Sequence, residues 1–443
     1  MSAKVTRLPV RAKAHRGHPS DASPEALLAS AGSFGTLAAA RSLGRSGIRV
    51  VVADPHWLTA ARWSRRVAHT ISCPDAESSP KAFLGWLLAL GARHPGRVLY
   101  PTSDETAWLY SLHRNVLARH FRVYVPEFDS VYTLLNKWRL YRACNALQID
   151  APKTWLVVQQ DLPRLRLEAQ YPLVIKPQTQ AFLSPHQKGR VVPTADAFVR
   201  LCREFRQATS YSPVALEQNP DLTAPIAQTF AESAAGGIYG LSGFIDATGD
   251  LFVAAAARKV LQWPRRLGVG LCFEEAELHP RLADDVARLC RDVGYFGAFE
   301  VEFLESHGRY ELIDFNPRFY GQMGFDVSRG LDLPLLVYLA ATGEHDRLRS
   351  AVEEARRNVG KPRRRIYCNR IELEAALLAC RIAGAMSRKD DARWRRWLLR
   401  DRVRMTDAVL DRDDWLPAAV QTASTVLHRA AHPRSTWRQA RHE

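Results

Sequence analysis

The chain has 443 residues, 47% hydrophobic and 24% charged, enough for about three globular domains with large cores. No run approaches the ~20 apolar residues of a membrane-crossing helix, and the seven cysteines include no CxxC pair. That pattern argues against disulfides or a zinc site and predicts a reducing, cytoplasmic setting. The net charge of +16 favours anionic partners (nucleotide, nucleic acid or acidic lipid) without separating them.

Residues 1–24 are basic and rich in Pro, Ser and Ala, the composition of a disordered tail. No apolar run follows, so they do not read as a secretory signal. Strand and helix then alternate: a strand at 26–30, a turn at Gly32, Ser33, Phe34 and Gly35, a helix at 36–46, and a strand at 48–53 ending at Asp54. Further strands at 97–100 and 122–125 complete the pattern of a parallel sheet covered by helices. Ser30 replaces the first glycine of a GxGxxG fingerprint, so the match to dinucleotide binding is poor. A helix at 130–147 carries Lys137, a strand at 172–176 ends on Lys176, and a helix covers 194–208. Strands dominate 224–258 and end at Arg258 and Lys259. A loop with Pro264, Gly268 and Gly270, then a helix at 280–293, lead to a hairpin. After Gly343 strands vanish and Arg, Trp and Ala take over at helical spacing.

The hairpin, residues 296–318, is the most informative segment: FGAFEVEFLESHGRYELIDFNPR. Phe299, Val301, Phe303, Ile313 and Phe315 occupy odd positions, and Glu300, Glu302, Asp314 and Asn316 even ones. Strand side chains alternate faces, so the apolar set points to a core and the oxygen ligands away from it. A three-residue loop of Ser306, His307 and Gly308 would keep that register. The even face then gathers Glu302, Asp314 and Asn316, followed by Arg318. Such a set suits a hard cation with oxygen ligands, or is simply a solvated sheet face. Lysine is scarce beside arginine in this chain, and Lys137, Lys176 and Lys259 keep apolar surroundings. Each either reaches water at an element's end or supplies a compact charge for phosphate.

Together these elements resemble the ATP-grasp superfamily, its carboxylate–amine ligase branch, over residues 26–344. The resemblance implies an α/β, ATP-grasp fold: a Rossmann-like pre-domain (25–130), a small lobe (131–225), a large lobe with the metal site (226–345) and a basic helical C-terminal region (346–443). Lys137 in LLNKWRLYRAC and Lys176 in YPLVIKP look like the family's two nucleotide lysines. Gln228, Thr229 and Phe230 resemble its adenine hinge, with Glu232 for the ribose and Arg258 or Lys259 for phosphate. Glu302, Asp314 and Asn316 match its magnesium (or manganese) ligands, and Arg318 its arginine beside the transferred phosphoryl group. Departures are Thr229, where an acidic residue is common, a phosphate-covering loop at 178–189 with Gly189 alone, and Asp314 in place of glutamate. The implied activity is ATP-dependent activation of a carboxylate as an acyl phosphate and its joining to an amine. Arg258 and Arg318 would act at the reacting phosphoryl group, and Asp104 would face the substrate.

Two other readings stand beside this one: an ATP-binding protein without ligase chemistry, and a Rossmann-type oxidoreductase. In the last hundred residues Lys and Arg exceed Asp and Glu by about ten, with Trp394, Trp397, Trp415 and Trp437 interspersed. This region either touches anionic membrane, binds nucleic acid (the less favoured partner), or packs as a helical cap with solvated arginines.

Overall fold

Four sheets organise the chain in the computed structural model, which describes residues 23–230, 237–263, 269–306, 308–360, 364–382, 384, 386–400 and 405–431. The first is wholly parallel, with strands β1 (Ala26–Leu28), β2 (Val50–Ala53), β3 (His69–Ile71), β4 (Val98–Tyr100) and β5 (Arg122–Val123) in the order β3-β2-β1-β4-β5. Its central strands are buried on both faces, which is why they read as unbroken apolar runs. Leu27, Val51 and Leu99 pack on Trp108 and Tyr110. Leu28, Val52 and Tyr100 join a second core with Phe319, Phe325 and Leu336. The first sheet therefore shares a core with residues following the hairpin.

The second sheet holds β6 (Thr154–Leu156), β7 (Leu173–Lys176), β9 (Arg190–Val192) and β11 (Ile226–Thr229), ordered β6-β11-β7-β9. Its inner face carries Leu173, Ile175 and Val192 against Phe198, Cys202 and Phe205 of the helix Ala195–Ala208. A two-stranded ladder of β8 (Leu183–Ser184) and β10 (Ser210–Tyr211) sits beside it.

The third large element is a seven-stranded sheet of β12 (Ile238–Ile245), β13 (Phe252–Trp263), β14 (Val269–Ala276), β15 (Gly297–Ser306), β16 (Arg309–Asn316), β17 (Ile366–Cys368) and β18 (Met405–Asp407), ordered β16-β15-β12-β13-β14-β17-β18. Phe299, Val301, Phe303 and Phe315 pack on the helix Pro280–Asp292 through Val286 and Leu289. On the opposite face, Val253, Ala255, Ala257 and Ala298 lie in the core shared with the first sheet.

Three expectations are corrected. The helix expected at 130–147 is two helices, Phe128–Leu135 and Lys137–Ala146. Between them, the Asn136 side-chain oxygen accepts from the N–H groups of Trp138 (3.0 Å) and Arg139 (3.1 Å). Asparagine competes with the helical backbone in this way and starts a new helix. The hairpin loop is shorter than expected, because Ser306 pairs with Arg309 and only two residues separate the strands. A bulge further down restores the register: Phe303 pairs with Leu312 while Glu302 pairs with Asp314, so Ile313 is the extra residue. Leu312 consequently enters the core that was expected to hold Ile313. Finally, strands do not vanish after Gly343. β17 and β18 extend the large sheet, each only three residues long and too short for a period-2 signal.

Candidate active site

A cavity between the second and the seven-stranded sheets collects side chains that lie far apart in sequence. Its lining includes Lys137, Lys176, Lys188 and Lys259, the carboxylates Glu302 and Asp314, and Gln228, Thr229 and Phe230 of β11. The chain has only ten lysines, so four in one cavity is a strong concentration of compact positive charge.

Strand alternation explains who faces it. Along β15, Ala298 lies in the core shared with the first sheet, and Glu302 and Leu304, on the same face, line the cavity. Glu302 and Asp314 are cross-strand partners, which brings their carboxylates together, and the bulged Ile313 joins the same wall. On β13, Ala255 and Ala257 precede Lys259 on this face, while Ala254, Ala256 and Arg258 take the other. Arg258 is thus not in the cavity. It pairs with Glu305 of β15 on the opposite face of the sheet, because adjacent strand residues cannot face the same way.

The charges are arranged in opposed pairs. Lys137, the first residue of its helix, donates to Asp314, and Lys259 donates to Glu302. A lysine is unfavourable at a helix N-terminus; Asn136 holds it there. Lys176 Nζ donates to Gln228 Oε1 at 2.8 Å, and Gln228 Nε2 to Thr154 Oγ1 at 3.0 Å. Burial, then the charge of Lys137, lowers the Lys176 ammonium to about 8. Burial also lowers Lys188. Burial works to raise Asp314, but the charge and hydrogen bond of Lys137, with Lys176 and Lys188 behind, hold it below the usual carboxylate range.

Asn316 lies two residues beyond Asp314 and faces a neighbouring cluster. Its Nδ2 donates to Glu300 Oε2 at 2.5 Å, and Gln322 Nε2 donates to Glu300 Oε1 at 2.9 Å. Burial, then the charge of Glu302, pushes Glu300 up to about 8. Arg318 donates to Asn316 Oδ1 at 2.9 Å and to Asp104, the first residue of the helix Asp104–Leu112 that follows β4. Asp104 is therefore held by Arg318, and its neighbour Glu105 lines a separate cavity over the strand ends of the parallel sheet, with Gly32, Ser33 and Asp54. Glu232, and the loop residues Pro264 and Gly268, lie outside the described residues.

Sequence reasoning missed Lys188 and Glu300. Lys188 stands in a loop without flanking apolar residues, and only the rarity of lysine pointed to it. Glu300 shares the even parity of the hairpin's oxygen ligands, and that parity is the signal that points to it. Among the described residues no three His, Cys, Asp or Glu side chains cluster as a self-sufficient metal site. The two facing carboxylates Glu302 and Asp314 nonetheless fit magnesium, which is commonly held by one or two carboxylates plus substrate phosphates; the Asn316 oxygen joins them only by giving up its hydrogen bond from Arg318.

Gly35 finds another explanation than dinucleotide binding. A Cβ on Gly35 would come within 2.4 Å of the Tyr320 carbonyl oxygen, so this glycine permits close packing of its helix on the segment after the hairpin. Ser30 takes the left-handed conformation, φ 55°, where the fingerprint would have its first glycine.

No family model matches the sequence, and no curated protein does. Solved structures do resemble it. Biotin carboxylase from Campylobacter jejuni, in complex with βγ-ATP, aligns with TM-score 0.59 and 14% identity over 72% of this chain and 71% of that one. The biotin carboxylase domain of Hydrogenobacter thermophilus 2-oxoglutarate carboxylase, with MgADP, ADP and bicarbonate, gives 0.57 and 13% over 72% and 70%. L-amino acid ligase from Bacillus licheniformis gives 0.55 and 14% over 73% and 76%. At such identities the likeness is one of architecture, and with the parallel sheet, the lysine-bearing second sheet and the acidic hairpin it establishes that this chain has the ATP-grasp fold.

Proposed function

We propose that this protein is an ATP- and magnesium-dependent ligase that activates a carboxylate as an acyl phosphate and joins it to an amine. The observation that carries the reading is the convergence of four lysines on two facing carboxylates in one cavity. Four ammonium groups against two carboxylates leave a surplus of positive charge, which suits a polyphosphate. The solved structures of similar fold in complex with βγ-ATP or with MgADP and bicarbonate, and the L-amino acid ligase, support it.

In this reading Gln228, Thr229 and Phe230 hold the adenine, and Lys137, Lys176, Lys188 and Lys259 hold the phosphates. Glu302, Asp314 and Asn316 would hold magnesium, which supplies charge neutralisation at the phosphate oxygens. Once nucleotide and metal are bound, Lys137 and Lys259 exchange their carboxylate partners for phosphate oxygens. The carboxylate substrate attacks the terminal phosphorus and ADP leaves. The amine then attacks the acyl carbon and displaces phosphate. Arg318, next to Asn316, is the group available to stabilise the oxyanion of that second step; one such contact contributes about 3 kcal/mol, roughly a hundredfold in rate. Closure of the second sheet's lobe keeps water from the acyl phosphate.

Release of ADP across a panel of amino acids and small acids tests the activity, with hydroxylamine trapping the acyl phosphate as a hydroxamate. Glu302→Ala and Lys176→Ala are each expected to nearly abolish substrate-dependent ADP release. Retained activity in both variants removes the site, and nucleotide binding without hydroxamate favours a binding protein lacking ligase chemistry.

A further inference from the structure

The C-terminal helix Leu416–Ala431 packs one side on the body of the protein through Ala418, Gln421 and Thr425, the first in the main core and the others hydrogen-bonded toward Glu372. The opposite side should be polar in an ordinary surface helix. Instead Leu416, Val420, Ala423 and Leu427 recur at spacings of four, three and four, which places them in one stripe away from the packed side. Leu427 is 60% exposed and its neighbour Val426 62%. From Trp415 to Leu427 there is no charged residue. The outer face of the helix is thus more apolar than the packed one, which carries Gln421 and Thr425.

A second segment adds to this surface. Ala60 and Ala61 share a core with Ala418, so the turn Ala60–Trp63 lies against the start of the helix. That turn carries Trp63, whose ring lies against Trp57 with centroids 6.2 Å apart, beside the first turn of the helix. Trp57 is 66% exposed and Trp415 64%. Charge surrounds these indoles. Arg62 donates to the backbone carbonyls of Asp54 and His56, and Arg65 to that of Asp413; neither forms an ion pair among the described residues. Arg412 is exposed, Asp411 is paired with Arg45, and Asp413 is the exposed carboxylate left in that segment, while Asp54, Asp75 and Glu77 line the cavity over the parallel sheet.

We propose that this face, the Trp57–Trp63 turn together with the outer stripe of the C-terminal helix, docks on an anionic phospholipid bilayer, with the helix lying in the interface plane. Indoles and aliphatic side chains enter the headgroup–acyl boundary, and arginines meet lipid phosphates. A second copy of the chain fits less well, because a twofold contact brings the arginines of both copies into one interface. Nucleic acid fits less well too, since a polar phosphate backbone would leave the uncharged aliphatic stripe in water. None of these residues lines the nucleotide cavity, so the inference stands independently of the ligase reading.

The test is co-sedimentation of the full chain with vesicles of phosphatidylcholine alone or mixed with phosphatidylglycerol. Binding to the mixed vesicles alone, weakened by salt, is expected, with quenching of tryptophan fluorescence by brominated lipid. Trp415→Ala combined with Leu427→Ser should lower partitioning about tenfold or more, and Trp57→Ala should lower it independently. Circular dichroism and thermal unfolding should stay unchanged, since these side chains are exposed. Absence of binding to the anionic vesicles at low salt overturns the proposal, as does wild-type binding by the variants. A dimer that Trp415→Ala and Leu427→Ser convert to monomer, or salt-sensitive binding to single-stranded RNA in place of vesicles, also overturns it.

Discussion

Lys176 shows how one residue's surroundings set a measurable property. Burial first, then the neighbouring Lys137 charge, brings its ammonium down to about 8, whereas free lysine titrates near 10.4. In the unliganded protein it therefore loses its charge as pH rises through that value, and with it an attraction for phosphate. KM for ATP is expected to climb above pH 8 while kcat changes less, because bound triphosphate restores the charged form. Lys176→Arg should flatten the profile; steady-state kinetics between neutral and alkaline pH reads both, and a flat wild-type profile removes this role. The sequence marked Lys176 by its apolar strand. It could not reveal that Gln228, 52 positions away, would hold the side chain, nor that Arg258 would face outward while Lys259 faced the cavity.

Among the elements, the hairpin depends on one extra residue. The two-residue connection alone would pair Glu302 with Ile313 and send Asp314 to the core side. The bulge at Ile313 brings Asp314 back opposite Glu302. Deleting Ile313 should therefore cost about a hundredfold or more in ADP release, the scale of a lost transition-state contact, and lower the unfolding midpoint. Ile313→Ala, which keeps the residue count, should retain most activity. Equal activity of the two variants would mean that the register does not matter. Alternation on β15 and β16 was legible, since Phe299, Val301 and Phe315 go to the core as their positions require. The bulge was not, because no glycine or proline marks it.

Across the whole molecule, a buried ion pair ties the C-terminal region to the parallel sheet. Arg41 donates to Asp414 Oδ2 at 2.9 Å, and Asp414 also accepts from Ser64 Oγ at 2.6 Å and from the Arg65 N–H at 2.8 Å. Asp414→Ala leaves Arg41 buried without its carboxylate and should cost about 3–5 kcal/mol, read as a shift in urea denaturation. Burial works to raise the Asp414 carboxyl, but the hydrogen bonds from Ser64 and Arg41 bring it below its ordinary value. The stabilisation is therefore complete above the ordinary aspartate range and is lost as pH falls through the lowered value. The alanine variant should lack that acid-side decline. The region's tryptophans divide: Trp394 packs in a core and Trp397 donates to Glu274, Trp415 is exposed, and Trp437 lies outside the described residues.

Local chemistry determined much of this. Apolar runs made the parallel strands, period-2 alternation made the acidic hairpin, and scarce lysines announced where compact positive charge was needed. These signals act between residues a few positions apart, so they are written in order along the chain. Tertiary structure alone decided that Lys137 would meet Asp314 across 177 positions, that Lys188 would join the same cavity, and that two short late strands would complete the large sheet. Those outcomes depend on how whole sheets pack and on which side of a strand is left uncovered, and no local pattern carries that information.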